Sequence, residues 1–151
     1  GFVIIFSLAG TLLLIIAELF ARNAKLTTEV KSKNALAVGF LQVLSLLPGF
    51  SRSGSTISGG MLSGLTRESA ARFSFLLSIP LILAAGLYEF GSSVSQFNQI
   101  PTLSLLAGFL TSFLVGIAVI KFLLKFLAKH SLWVFIIYRL VLALVLIILV
   151  I

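Results

Sequence analysis

Residues 39–64 read GFLQVLSLLPGFSRSGSTISGGMLSG. The stretch opens as an apolar helix and breaks at Pro48-Gly49. It then sets Ser51, Arg52, Ser53, Ser55 and Thr56 around Gly54, with Gly59, Gly60 and Gly64 following. Apolar sequence lies on both sides. A cation among hydroxyls at membrane depth is costly and calls for a functional reason. The reading is a loop that binds a phosphate or diphosphate carried by a lipid.

The rest of the chain supplies the membrane. Of 151 residues, 60% are hydrophobic and 10% charged, and the mean hydropathy is +1.23. A soluble domain carries about 25% charged residues. Several apolar runs approach the ~20 residues that cross a bilayer as a helix. The expectation is an all-α integral membrane protein. There is no cysteine, which excludes disulfides and thiolate metal sites. The net charge of +7 reads as positive-inside topology and not as a nucleic-acid surface. The chain opens on Gly1 and its single methionine is Met61, so a piece of a longer protein is expected. The first apolar run has neither a basic n-region nor a small-residue cleavage site and is not read as a signal peptide.

In chain order, residues 2–21 form a first span with Glu18 near its end. A polar linker to Lys33 follows, in which Thr27 or Thr28 is a weak cap for the next helix. Residues 34–47 are apolar but too short to cross, which fits a re-entrant segment. Pro48-Gly49 stops it, since proline cannot continue the ladder and glycine permits unusual backbone angles. A short returning helix is expected from Ile57 to Leu65, with Gly60 and Gly64 as a close-packing pair. Thr66 caps the next span, 66–90, which Pro80 should kink. An uncharged loop, a span over 101–126 and a last span over 132–151 complete the chain.

With the hairpin 34–65 entering and leaving on one side, Arg22, Lys25, Lys31, Lys33, Arg67, Arg72, Lys121, Lys125 and Lys129 fall on one side of the membrane. That side is assigned to the cytoplasm. The architecture expected is four spanning helices plus one re-entrant helix pair, a single transmembrane domain.

Within the loop, Arg52 is the sharpest residue. A guanidinium keeps its charge and presents forked donors that suit phosphate oxygens. Ser51, Ser53, Ser55 and Thr56 add hydroxyls, and backbone N–H groups near Gly54 add partial positive charge at a helix start. The competing reading is an arginine that merely ties the hairpin to carbonyls of a neighbouring helix. Gln42 either lines the cavity or bonds a neighbouring helix. Arg67 and Arg72 read as headgroup and topology residues, and Arg139 as a snorkeller or interhelical ligand. Glu18 and Glu89 read as solvated or interfacial, and His130 as part of a basic turn. The pattern is not a Walker loop, because no lysine follows the second glycine. No paired carboxylates or histidine stand near the loop in sequence, so the chain shows an anion cradle without a base.

Residues 48–56, PGFSRSGST, resemble the PGxSRSxxT signature of the undecaprenyl-diphosphate phosphatase family, the bacterial bacitracin-resistance phosphatases. Residues 65–86, LTRESAARFSFLLSIPLILAAG, and 135–140, FIIYRL, look like the same family. The resemblance implies removal of the terminal phosphate of undecaprenyl diphosphate, which recycles the lipid carrier of cell-wall synthesis at the outer side of the inner membrane. It implies two inverted repeats, each with a re-entrant pair, and a divalent cation (Mg or Ca). It puts Arg52 on the diphosphate, with Ser51 and Thr56 bonding its oxygens. The family's first motif, an E-x-x-x-E pair with two serines and a histidine, has no match here. The chain therefore resembles the second half of such an enzyme, with the acid, base and metal ligands in a missing N-terminal half. Two other readings stand beside it. One is a transporter or flippase half, since carriers also place broken helices at the midplane. The other is a non-catalytic packing module built on Gly60 and Gly64.

Overall fold

The computed structural model describes residues 2–97 and 101–150. Six α-helices account for most of them: α1 (Phe2–Asn23), α2 (Ser32–Gln42), α3 (Arg52–Leu62), α4 (Arg67–Phe97), α5 (Thr102–Lys129) and α6 (Trp133–Val150). A 3-10 turn, Val43–Leu46, extends α2 toward the Pro48-Gly49 break. Three helices are long and apolar enough to cross a membrane: Phe2–Asn23, Arg67–Ser92 and Thr102–Lys129. The segment Trp133–Leu149 is a shorter apolar helix. The protein is an all-helical, multi-pass membrane protein.

α2 and α3 form a hairpin with both ends at one pole of the bundle. At its base Thr27 N–H donates to Gly64 O (2.9 Å) and Thr66 N–H to Thr27 O (3.0 Å). Asn34, fully buried, gives its Nδ2 to Ser63 O and Ser63 Oγ, both at 2.9 Å. Its Oδ1 accepts from Lys31 N–H (2.8 Å). Thr27 thus braces the hairpin, and α2 starts later than a cap at Thr27 or Thr28 requires. An amide buried in apolar surroundings holds position only where all its polar groups find partners, and Asn34 finds them across the two legs.

The returning helix begins at Arg52, five residues before the expected start. Ser51 Oγ accepts from Gly54 N–H (3.2 Å) and caps it. Ser55 Oγ donates to Ser51 O (2.8 Å) and Thr56 Oγ1 to Arg52 O (2.9 Å). These back-bonds let a hydroxyl-rich segment stay helical away from water. α3 is closed off two residues past its end by Gly64, whose φ is +99°. Leu65 N–H donates to Gly60 O and Gly64 N–H to Met61 O, the two bonds of a Schellman cap. Gly64 is therefore a turn residue, because a Cβ there would meet nothing within 4 Å. The packing pair is Gly59 and Gly60. A Cβ on Gly59 would press on the α2 backbone at Ala37 and Val38, and one on Gly60 on Ala70 of α4. Lipid tails are as apolar as leucine, so close approach of small residues holds such helices together.

The same pole holds a buried ion pair. Glu18, expected at an interface, is only 1% exposed. Arg67, expected on headgroups, grips it in a forked geometry. Its Nε donates to Oε2 at 2.9 Å and its Nη2 to Oε1. Leu132 N–H, at the start of α6, donates to Oε2 as well (3.3 Å). The carboxylate goes inside because the end of α1, the start of α4 and the α5–α6 turn converge on it and supply three donors. By contrast the exposed Glu29–Lys31 pair (3.5 Å) adds little.

α4 runs through Pro80 to Phe97, past the expected end at residue 90. Thr66 caps it as expected, accepting from Ser69 N–H (3.3 Å). Residues 98–100 of the expected loop, and residue 151 of the expected last span, lie outside the described residues. The outer half of α4 and most of α5 present exposed apolar side chains, which suits contact with lipid.

Candidate functional site

At the other pole the hairpin tip meets the first turns of α1. A Cβ on Gly49 (φ +93°) would collide with Val3 O, and one on Gly10 with Phe50 O. Two residues on, Ser51 has φ +70° and ψ +110°. It is the one non-glycine residue with positive φ among the described residues. Such a conformation costs of order 1–3 kcal/mol and persists where the surroundings over-determine it. Two groups hold it here. The Phe50 side chain is buried. Arg139 of α6 gives its Nη2 to Gly49 O (3.0 Å), Phe50 O (3.4 Å) and Ser7 O (3.0 Å), and its Nε to Thr11 Oγ1 (3.0 Å).

Beside this tip lies a cavity of about 340 Å³. Its polar lining is Ser7, Ser51, Ser53, Gly54 and Arg139, set between apolar residues on both sides: Val3, Leu142 and Leu146 on one, Leu14, Leu127 and Leu132 on the other.

Of the residues singled out in the sequence, Ser51, Ser53 and Gly54 line this cavity, and Arg52, Gln42, Ser55 and Thr56 do not. Ser55 and Thr56 are each 1% exposed. Thr56 Oγ1 also meets Ser74 Oγ of α4, so both hydroxyls are engaged inside the bundle. Arg52 lies on the α4-facing stripe of α3, one turn before Thr56. Thr56 meets Ser74, and Gly60 meets Ala70. Arg52 Nη2 is buried with no hydrogen-bond partner among the described residues, and the same holds for Gln42 Oε1. A buried donor left unmade costs about 1–3 kcal/mol. An acceptor supplied from outside the chain would satisfy it.

Arg139 is the site residue that the sequence reading undervalued. The interhelical role is the observed one, and it ends at the loop itself. The available signal was the one applied to Arg52, a charge inside an apolar run. Ser7 and Thr11, one turn apart on α1, were also passed over.

Neither Arg52 nor Arg139 forms a salt bridge among the described residues. The Glu18–Arg67 and Glu29–Lys31 salt bridges lie at the opposite pole. The tip thus brings a positive charge and hydroxyls to a cavity that is otherwise apolar. Among the described residues no three His, Cys, Asp or Glu side chains come together to hold a metal ion. This donor set does not by itself fit a divalent cation site.

Fold and site together define a multi-pass membrane protein that folds a polar helical hairpin into its interior. The family described as bacitracin resistance protein BacA matches residues 1–145, and the chain belongs to that family. Among its relatives, a protein of Syntrophobacter fumaroxidans named undecaprenyl-diphosphatase is 48% identical over 131 residues, covering 87% of this chain and 47% of the relative. Proteins of the same name from Idiomarina loihiensis and Aquifex aeolicus are each 40% identical over 146 residues. They cover 97% and 95% of this chain and 55% and 57% of the relatives. The chain spans about half the length of the curated relatives it matches.

Proposed function

We propose that this chain supplies the diphosphate-binding half of an undecaprenyl-diphosphate phosphatase. The overall reaction adds water across the phosphoric anhydride, breaking the bridging P–O bond, and leaves undecaprenyl phosphate and inorganic phosphate. The observation that carries the reading is the shape and polarity of the cavity. Its apolar wall accommodates the isoprenoid segment next to the headgroup. Its polar lining offers Ser51, Ser53 and the start of α3 to the phosphates. The unpartnered Arg52 Nη2, on the same first turn, is a donor that a phosphate oxygen would satisfy.

Ser51 is the candidate to touch the terminal phosphate. Its Oγ is bonded to Gly54 N–H and not to a base, so proton removal is assigned to residues beyond the match to this chain. The divalent cation that the family resemblance implies is assigned there too. The chain is read as half of an inverted-repeat architecture, with four spans, α1, α4, α5 and α6, and α2–α3 as a re-entrant pair. The pole rich in lysine and arginine faces the cytoplasm. The hairpin tip at the opposite pole then opens toward the outer side of the bacterial inner membrane.

Binding tests this reading. The detergent-solubilised chain should bind farnesyl diphosphate more tightly than farnesol. Arg52→Lys keeps the charge but loses the fork, and should weaken diphosphate binding by about 1–3 kcal/mol. Equal affinity of the wild-type chain for diphosphate and alcohol would reject the function. Unchanged affinity in Arg52→Lys would make Arg52 a structural tie.

A further inference from the structure

The geometry points to Arg139 as both the positioning residue of the loop and the fixed positive charge of the cavity. We infer that it receives one phosphate group of the diphosphate headgroup. This deepens the function proposed above and rests on it. One edge of the guanidinium is committed to protein. Nε donates to Thr11 Oγ1, and Nη2 faces Gly49 O, Phe50 O and Ser7 O. Those bonds fix the peptide units just before Ser51, the strained residue that caps α3. The other nitrogen, Nη1, turns toward Gly54. A Cβ on Gly54 would stand 3.6 Å from it, and Gly54 lines the cavity together with Arg139, Ser51 and Ser53.

Two glycines make room for this group. A Cβ on Gly10 would approach Nη2 to 3.0 Å, so any larger residue on α1 would push the guanidinium off the loop. A guanidinium anchored by one edge to five protein acceptors is pre-organised. It presents the donors of Nη1 without the rotamer cost of a free side chain.

The test is titration of farnesyl diphosphate, farnesyl phosphate and farnesol into the detergent-solubilised wild-type chain and into Arg139→Lys, Arg139→Gln and Arg139→Ala. Diphosphate affinity should fall at least tenfold in Arg139→Gln, which keeps a donor for Gly49 O and Phe50 O but loses the charge. Arg139→Lys should recover part of that loss. Farnesol affinity should stay within about twofold throughout, and the preference for diphosphate over monophosphate should narrow. If Arg139→Ala fails to fold, Arg139→Gln carries the result. Diphosphate binding by Arg139→Gln within twofold of wild type would overturn the assignment while leaving the proposed function standing. A parallel loss of farnesol binding would reduce Arg139 to a purely structural tie. Failure of the wild-type chain to prefer diphosphate over farnesol would overturn the function and this inference together.

Discussion

Glu18→Ala should destabilise the protein by about 1–3 kcal/mol, the range for lost hydrogen bonds to a charged group, since the Arg67 left behind keeps a quarter of its side chain exposed. Glu18 is 1% exposed and accepts from three donors. Its removal leaves Arg67 unpaired against the bundle and Leu132 N–H without its carboxylate. Three elements lose their common tie: the end of α1, the start of α4 and the α5–α6 turn. The check is the midpoint of thermal unfolding in detergent, where Glu18→Ala should melt far below wild type. Glu29→Ala, at the exposed pair with Lys31, should shift it by less than about 1 kcal/mol equivalent. Similar midpoints for the two variants would mean that the Glu18–Arg67 pair does not close this pole.

The second large effect is expected at Gly60. A Cβ there would come 2.7 Å from the Cβ of Ala70, which is fully buried. Gly60→Leu has to push α3 away from α4 or expel its side chain from the contact. Overpacking of this kind costs about 1–3 kcal/mol and occasionally more. Because α3 carries Ser51 and Ser53 at its start, displacement also moves the cavity's polar lining, so diphosphate binding should fall together with the melting midpoint. Gly108→Leu on α5 is the matched control. A Cβ on Gly108 meets nothing within 4 Å, and the variant should melt and bind as wild type. If Gly60→Leu behaved as that control does, the close approach of α3 to α4 would be disproved.

Much of this arrangement was legible in the sequence because it is written in local signals. Pro48-Gly49 marks the hairpin tip, and Thr66 marks a helix start. Gly64 was legible as special but not in kind. A glycine four residues after another reads as a packing pair until helix termination is known, and the cap at Leu65 N–H settles it as a turn. The start of α3 was misplaced because serines and threonines in a row suggest loop. The helix instead starts on Ser51, which adopts a positive φ that no local propensity favours. What the sequence could not reveal lies far apart in the chain. Glu18 and Arg67 are 49 positions apart, and Arg139 and Gly49 are 90 apart. A lone acid near a helix end and a lone arginine in an apolar helix have bland readings until three-dimensional packing supplies their partners.

The division of the site between two halves is tested most directly by phosphate release from undecaprenyl diphosphate with Mg²⁺ or Ca²⁺. The comparison is between this 151-residue chain and a full-length relative prepared alike. Release is expected from the full-length relative, and none above background from the chain alone, even where the chain binds farnesyl diphosphate. Release by the chain alone would contradict it. A base would then have to lie within these residues, and Ser51, bonded to Gly54 N–H, would need a different mechanism.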